Sequence, residues 1–160
     1  QRKRLDYYYT ATEWAKRHTP EGGRILDVGG GTSLGCRYLD RLPDFERTVV
    51  ELKDGNHLYR EADVHFCDFM EWEPDGQYDT VMCLQCVEHV REPWPFIQKM
   101  REIGSTLILS VPFMWPAGLE DGHLHDPIDR IKLKTWVGRE PNCDKVSGRK
   151  PWERLIGLYL

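Results

Sequence analysis

The stretch Ile25-Leu26-Asp27-Val28-Gly29-Gly30-Gly31-Thr32-Ser33-Leu34-Gly35 decides the reading of this chain. A short apolar run carrying one acid leads into three glycines, and a helical pattern then extends to about residue 42. Glycine lets a backbone turn sharply and lets a ligand come close where a Cβ would clash. The first turn of a helix offers unpaired N–H groups and a partial positive charge to an anion. In an open parallel sheet, ligands sit beyond the carboxyl ends of the strands. The stretch therefore reads as a nucleotide-type binding turn. The plain alternative is a tight strand-to-helix turn with no ligand, which leaves the entropic cost of three adjacent glycines unrewarded.

Outward from this turn the pattern alternates. Strands are expected at 24–28, 47–52, 63–67, 78–83 and 106–111, with helices at 33–42, 56–62 and 95–103. Strands alternating with helices imply a parallel, right-handed, doubly wound sheet. The first 18 residues read as a helix with Leu5, Tyr8, Tyr9, Thr12 and Ala15 on its inward face, stopped by Thr19-Pro20-Glu21-Gly22-Gly23. Beyond a loop at 112–127, a helix at 128–137 and strands at 144–147 and 154–160 complete the chain. The two strands, joined by a turn at 148–151, add an antiparallel hairpin at the sheet edge. The fold class expected is α/β: a doubly wound, mostly parallel seven-stranded sheet ending in an antiparallel hairpin.

Composition narrows the function classes. A length of 160 residues is one domain's worth of sequence. Lys plus Arg is 22 and Asp plus Glu is 26, a net charge of −4, so the basic footprint of a nucleic-acid binder is missing. Six Trp, seven Tyr and five Phe exclude a disordered chain. No stretch approaches the roughly 20 apolar residues that span a bilayer, and no secretory leader is expected. Five cysteines form no regular framework, which fits a reduced, cytoplasmic setting.

The turn does not match the common phosphate motifs. A dinucleotide G-x-G-x-x-G fingerprint needs glycine where Leu34 or Thr32 stands, and a phosphate loop is not supplied by Cys36 and Arg37. Asp27, two residues before the first glycine, favours a ligand with a positive group and no pyrophosphate. Asp27-x-Gly29-x-Gly31 after an apolar strand resembles motif I of the class I S-adenosylmethionine-dependent methyltransferases. The likeness continues through Thr48-Val49-Val50-Glu51, Cys67-Asp68-Phe69, the run Tyr78 to Val90 with its Glu88-His89 pair, and Ser105 to Pro112. Ser33 departs from the family, where many members carry a third glycine; a serine there can cap the helix.

The resemblance implies a single Rossmann-like methyltransferase domain over 1–160, with an N-terminal helix at 1–19 and a substrate-side loop at 112–130. It implies S-adenosyl-L-methionine as cofactor and S-adenosyl-L-homocysteine as product. The residues it points to for binding are Asp27, Gly29, Gly30, Gly31, Ser33, Glu51, Leu52, Asp68, Phe69, Leu84 and Gln85. In that reading the methionine carboxylate lies near the N–H groups of Thr32 to Leu34, and the amine meets the Gly29 carbonyl. Glu51 takes the ribose hydroxyls, Leu52 and Phe69 sandwich the adenine, Asp68 meets its amine, and Leu84 or Gln85 lies alongside. The plain alternatives are a solvated strand end for Glu51 and a turn residue for Asp68.

The function implied is methyl transfer to an O, N, S or C nucleophile, with a catalytically silent binding or scaffold module as the alternative. A small-molecule acceptor is expected first, a macromolecular one stays open, and neither a nucleic acid nor a membrane partner is expected. His125 beside Asp126 reads as a general-base pair in the substrate-side loop, with His89 at the pocket rim. The alternatives are backbone ties for the loop pair and a packed or capping role for His89. Cys83-x-x-Cys86 reads as core sulfur, and no metal site is expected, although His123 and His125 complete a zinc set on paper.

Overall fold

The computed structural model describes residues 6–31, 35–53 and 61–160. Its strands are β1 (Arg24–Val28), β2 (Glu46–Glu51), β3 (Asp63–Phe66), β4 (Tyr78–Leu84), β5 (Gly104–Pro112), β6 (Cys143–Ser147) and β7 (Arg154–Tyr159). The α-helices are α1 (Asp6–His18), α2 (Pro93–Ile103) and α3 (Arg130–Val137). The described strands form one seven-stranded sheet in the order β3-β2-β1-β4-β5-β7-β6. The first five run parallel, and β7 pairs antiparallel with both β5 and β6. The sheet class and the C-terminal hairpin are those expected from the sequence. The expected helix at 56–62 lies almost wholly outside the described residues.

Alternation along each buried strand feeds two cores. Ile25, Val49, Met82 and Ile108 face α1 and Leu39, whereas Leu26, Val50, Val81 and Leu109 face Phe96, Ile97 and Met100 of α2. Asp27 shares the first of these faces by its register next to Ile25. The strand order reverses between β1 and β4, so the carboxyl ends of these two strands flank the topological switch point where such sheets bind ligands.

Two local expectations change. The inward face of α1 is built from Tyr7, Ala11, Thr12 and Ala15, and Tyr9 is exposed, with the Arg41 guanidinium over its ring. The two small alanines let the helix lie close to the sheet, while a cation covers the tyrosine that pattern alone placed inside. The segment after the glycine turn is a 3-10 helix, Gly35–Arg41, in place of the expected α-helix.

Helix α3 is set by its caps. The Asp129 side chain accepts from the Lys132 N–H at 2.7 Å, and Gly138 closes the other end at φ 85°. Asp129→Ala is expected to cost about 1 kcal/mol of stability, read as a lower thermal midpoint.

Candidate active site

The glycine turn begins where β1 ends. Gly29 has φ 68°, and a Cβ placed on it would lie 2.3 Å from Cys86 Sγ. No side chain fits there, so the turn and the segment after β4 are pressed together. Gly31 has φ 71°, and a Cβ on it would meet nothing within 4 Å among the described residues. Its N–H donates to Glu51 Oε2 at 2.7 Å. Glu51 Oε1 accepts from the Leu52 N–H at 2.8 Å. The carboxylate at the end of β2 is thus fixed against the turn, with lone pairs left for further donors.

Asp27 is fully buried, and neither carboxylate oxygen has a hydrogen-bond partner among the described residues. Burial raises its pKa from 3.8 to about 7; Tyr38 partly counters the rise and Glu51 adds to it. A buried, unsatisfied carboxylate beside the glycine turn suits a ligand that brings positive charge.

On the other side of the turn, β4 ends at Leu84, which is buried. Gln85 takes φ 55° and bonds both ways: its Nε2 donates to Ser110 Oγ at 3.2 Å and its Oε1 accepts from Arg154 Nε at 3.1 Å. A second polar cluster follows. Glu88 is 1% exposed, its Oε1 lies 4.0 Å from His123 Nε2, and its Oε2 has no hydrogen-bond partner among the described residues. Burial raises its pKa to about 8, with Asp126 adding to the rise and Arg154 opposing it. His123 Nδ1 pairs with Asp126 Oδ2 at 2.7 Å, and its ring stacks on Trp115 at 5.4 Å. His89 Nδ1 lies 3.0 Å from the Gly122 carbonyl, and its ring meets His123 edge-on at 4.8 Å. The Arg154 guanidinium lies over both Tyr7 and Trp115, 5.2 Å from each ring. Both clusters sit at the carboxyl edge of the parallel strands, joined through the contact of Cys86 with Gly29.

Residues 4–144 match the family model described as "Methyltransferase domain". The chain belongs to this family. It is an S-adenosylmethionine-dependent methyltransferase. The ubiquinone biosynthesis O-methyltransferase of Xanthomonas campestris pv. campestris (strain B100) is 27% identical, the match covering 97% of this chain and 76% of that protein. Among solved structures, a Burkholderia thailandensis 1,6-didemethyltoxoflavin-N1-methyltransferase superposes with a TM-score of 0.73 at 13% identity, covering 95% of this chain and 76% of that one. The magnesium protoporphyrin IX methyltransferase of Synechocystis PCC 6803 gives 0.69 at 16% identity, covering 96% and 81%. These two likenesses show the fold.

Within the methyltransferase, Asp27, Gly29, Gly30, Gly31, Glu51, Leu84 and Gln85 all lie along one edge, as the motif order implied. Ser33, Thr32 and Leu34 fall outside the described residues. Leu52 is 65% exposed next to Glu51 and can present an apolar face. Asp68 is exposed and its Oδ1 accepts from the Met70 N–H at 2.8 Å, the turn role weighed for it. Phe69 is corrected: it is 4% exposed, edge-on to Phe96 at 5.0 Å, and it belongs to the core. Lys99 Nζ donates to the carbonyls of Phe69, Met70 and Trp72, which holds that segment inward. The ring is therefore not offered as an adenine platform.

The His125–Asp126 pair is also corrected. His125 Nε2 donates to the Val90 carbonyl at 2.7 Å and its ring packs edge-on against Trp136. Asp126 pairs with His123 instead. Cys83 is buried, and among the described residues it and Cys86 gather no third metal-type ligand. Sequence reasoning missed Glu88 and Arg154 as members of the site. Glu88 stood in the quoted Glu88-His89 pair; Arg154 carried no signal beyond opening the last strand.

Proposed function

We propose that the methyl group passes to a hydroxyl oxygen of a small-molecule acceptor bound between Glu88, His89, His123 and Arg154. The cofactor supplies a methyl activated by a sulfonium. Asp27 sets a negative field near that charge, Glu51 takes the ribose hydroxyls, and the glycine turn receives the amino-acid end. The acceptor side is the loop at 112–130 together with the segment after β4. His123, oriented by Asp126, activates the hydroxyl, and Arg154 neutralises charge on the acceptor. The methyl then moves by in-line displacement, which needs orientation and exclusion of water more than new chemistry.

The observation that carries this reading is the buried Glu88–His123–Asp126 cluster, whose Glu88 lies two residues after Cys86, the residue pressed against Gly29. An oxygen acceptor is also supported by the likeness to the ubiquinone biosynthesis O-methyltransferases. The test is transfer of labelled methyl to a panel of phenols, catechols, amines and thiols. Phenolic products support the reading; transfer confined to amines or thiols overturns it. His123→Ala is expected to lower kcat about tenfold to a hundredfold while S-adenosylhomocysteine affinity, measured calorimetrically, stays unchanged. Unaltered kcat removes His123 from the chemistry.

A further inference from the structure

We infer that Glu88, His89 and His123 bind one divalent transition-metal cation, which takes the acceptor's hydroxyl oxygen as a further ligand. The inference rests on the acceptor-side reading above and says how His123 activates the hydroxyl. It also departs from the expectation that the protein holds no metal.

One ligand atom from each of the three side chains lies within 4.8 Å of the other two. His123 Nε2 and Glu88 Oε1 are already 4.0 Å apart. Ligand bonds of about 2.0–2.2 Å in a tetrahedron set such atoms roughly 3.4 Å apart, so the three must draw together by up to about 1.4 Å to hold an ion.

The hydrogen bonds around the cluster fix which nitrogens are available. The Gly122 carbonyl can only accept, so His89 carries its proton on Nδ1 and keeps the Nε2 lone pair. Asp126 Oδ2 likewise accepts from His123 Nδ1–H, so in the neutral ring the Nε2 lone pair faces Glu88. A carboxylate behind a histidine is the usual outer support of a metal ligand, fixing its tautomer and ring angle. Glu88 brings the second independent observation: a side chain 1% exposed, with Oε2 buried and without a partner among the described residues. A cation bound there would supply the partner that Oε2 lacks.

Two imidazoles and one carboxylate match the donor set of catalytic zinc sites, which hold three protein ligands and keep a position open. An acceptor hydroxyl in that position would lose its proton to water more readily. Its oxygen then attacks the methyl: the O–C bond forms, the S–C bond breaks, and the electron pair of that bond stays on the neutral thioether. No oxidant or reductant is needed. Chelating acceptors, such as vicinal dihydroxy aromatics, fit such an ion best.

The test uses the full chain, stripped with a chelator and titrated with zinc by calorimetry and with cobalt(II) by visible absorption. One equivalent of zinc, and cobalt bands of a four- or five-coordinate site, are expected. Glu88→Gln and His123→Ala should each weaken zinc binding about a hundredfold, and Asp126→Asn about tenfold. His65→Ala, on the edge strand β3, should leave it unchanged. Wild-type protein lacking the cobalt bands, or zinc affinity equal in wild type and Glu88→Gln, overturns the inference. The wild-type cobalt spectrum decides the matter even where a variant does not fold. S-adenosylhomocysteine is titrated into the same samples. Its binding without zinc binding sinks the metal alone, whereas its failure to bind sinks the cofactor reading.

Discussion

Glu51→Ala is expected to weaken S-adenosylhomocysteine binding by about 3–4 kcal/mol, two to three orders of magnitude in Kd. In the proposed reading two ribose hydroxyls donate to this carboxylate, and a hydrogen bond to a charged group contributes about 1.5–3 kcal/mol. It also closes the turn through the Gly31 N–H at 2.7 Å and the Leu52 N–H at 2.8 Å. Glu51→Gln separates the two duties. The amide keeps one acceptor for Gly31 and loses the charge, so a loss of about tenfold is expected. Calorimetric titration of all three proteins checks this. Affinity of the alanine variant within about threefold of wild type would show that the sugar is held elsewhere.

Asp27→Asn is expected to stabilise the ligand-free protein at alkaline pH and to weaken the cofactor. In the folded chain the Asp27 carboxyl is raised from 3.8 to about 7, chiefly by burial. A folded pKa above the unfolded one means that the native state holds the proton more tightly. Asp27 therefore carries no penalty below about pH 4. The penalty grows as pH rises to about 7 and is complete above it, where it amounts to about 4 kcal/mol as an upper bound. Asparagine has no charge to lose, so the difference in stability between variant and wild type should widen from about pH 4 to about pH 8. Chemical denaturation across that range measures it, and a flat difference would show that Asp27 ionises freely in the folded state. Positive charge on the cofactor favours the ionised carboxylate. Binding near pH 6 should then release a proton, seen as a calorimetric heat that depends on the buffer. Asp27→Asn should abolish that release.

The edge that carries the glycine turn and Glu51 was legible because its information is local. Asp27, Gly29 and Gly31 are tied by one strand and one turn, and Glu51 closes the next strand in a parallel register. Once β1 and β2 are neighbours, that register brings the carboxylate to the glycines. Phe69 shows where local reading stops: an aromatic at a strand end looks available until Phe96 and Lys99, on a helix some 30 residues later, bury it. The acceptor side was the least legible part. His125 and Asp126 are adjacent in the chain, yet adjacent side chains in an irregular loop have no reason to face each other.

By itself, then, the sequence determined the order of strands and helices, the doubly wound sheet and the glycine turn at the end of its first strand, since hydrophobic period and glycine geometry act over a few residues. Only the tertiary structure decided that Asp126 orients His123, that Glu88 is buried without a partner and that Arg154 joins them. Those facts depend on segments from β4, the loop after β5 and the start of β7 meeting in space, and contacts between distant segments leave no periodic trace in the chain.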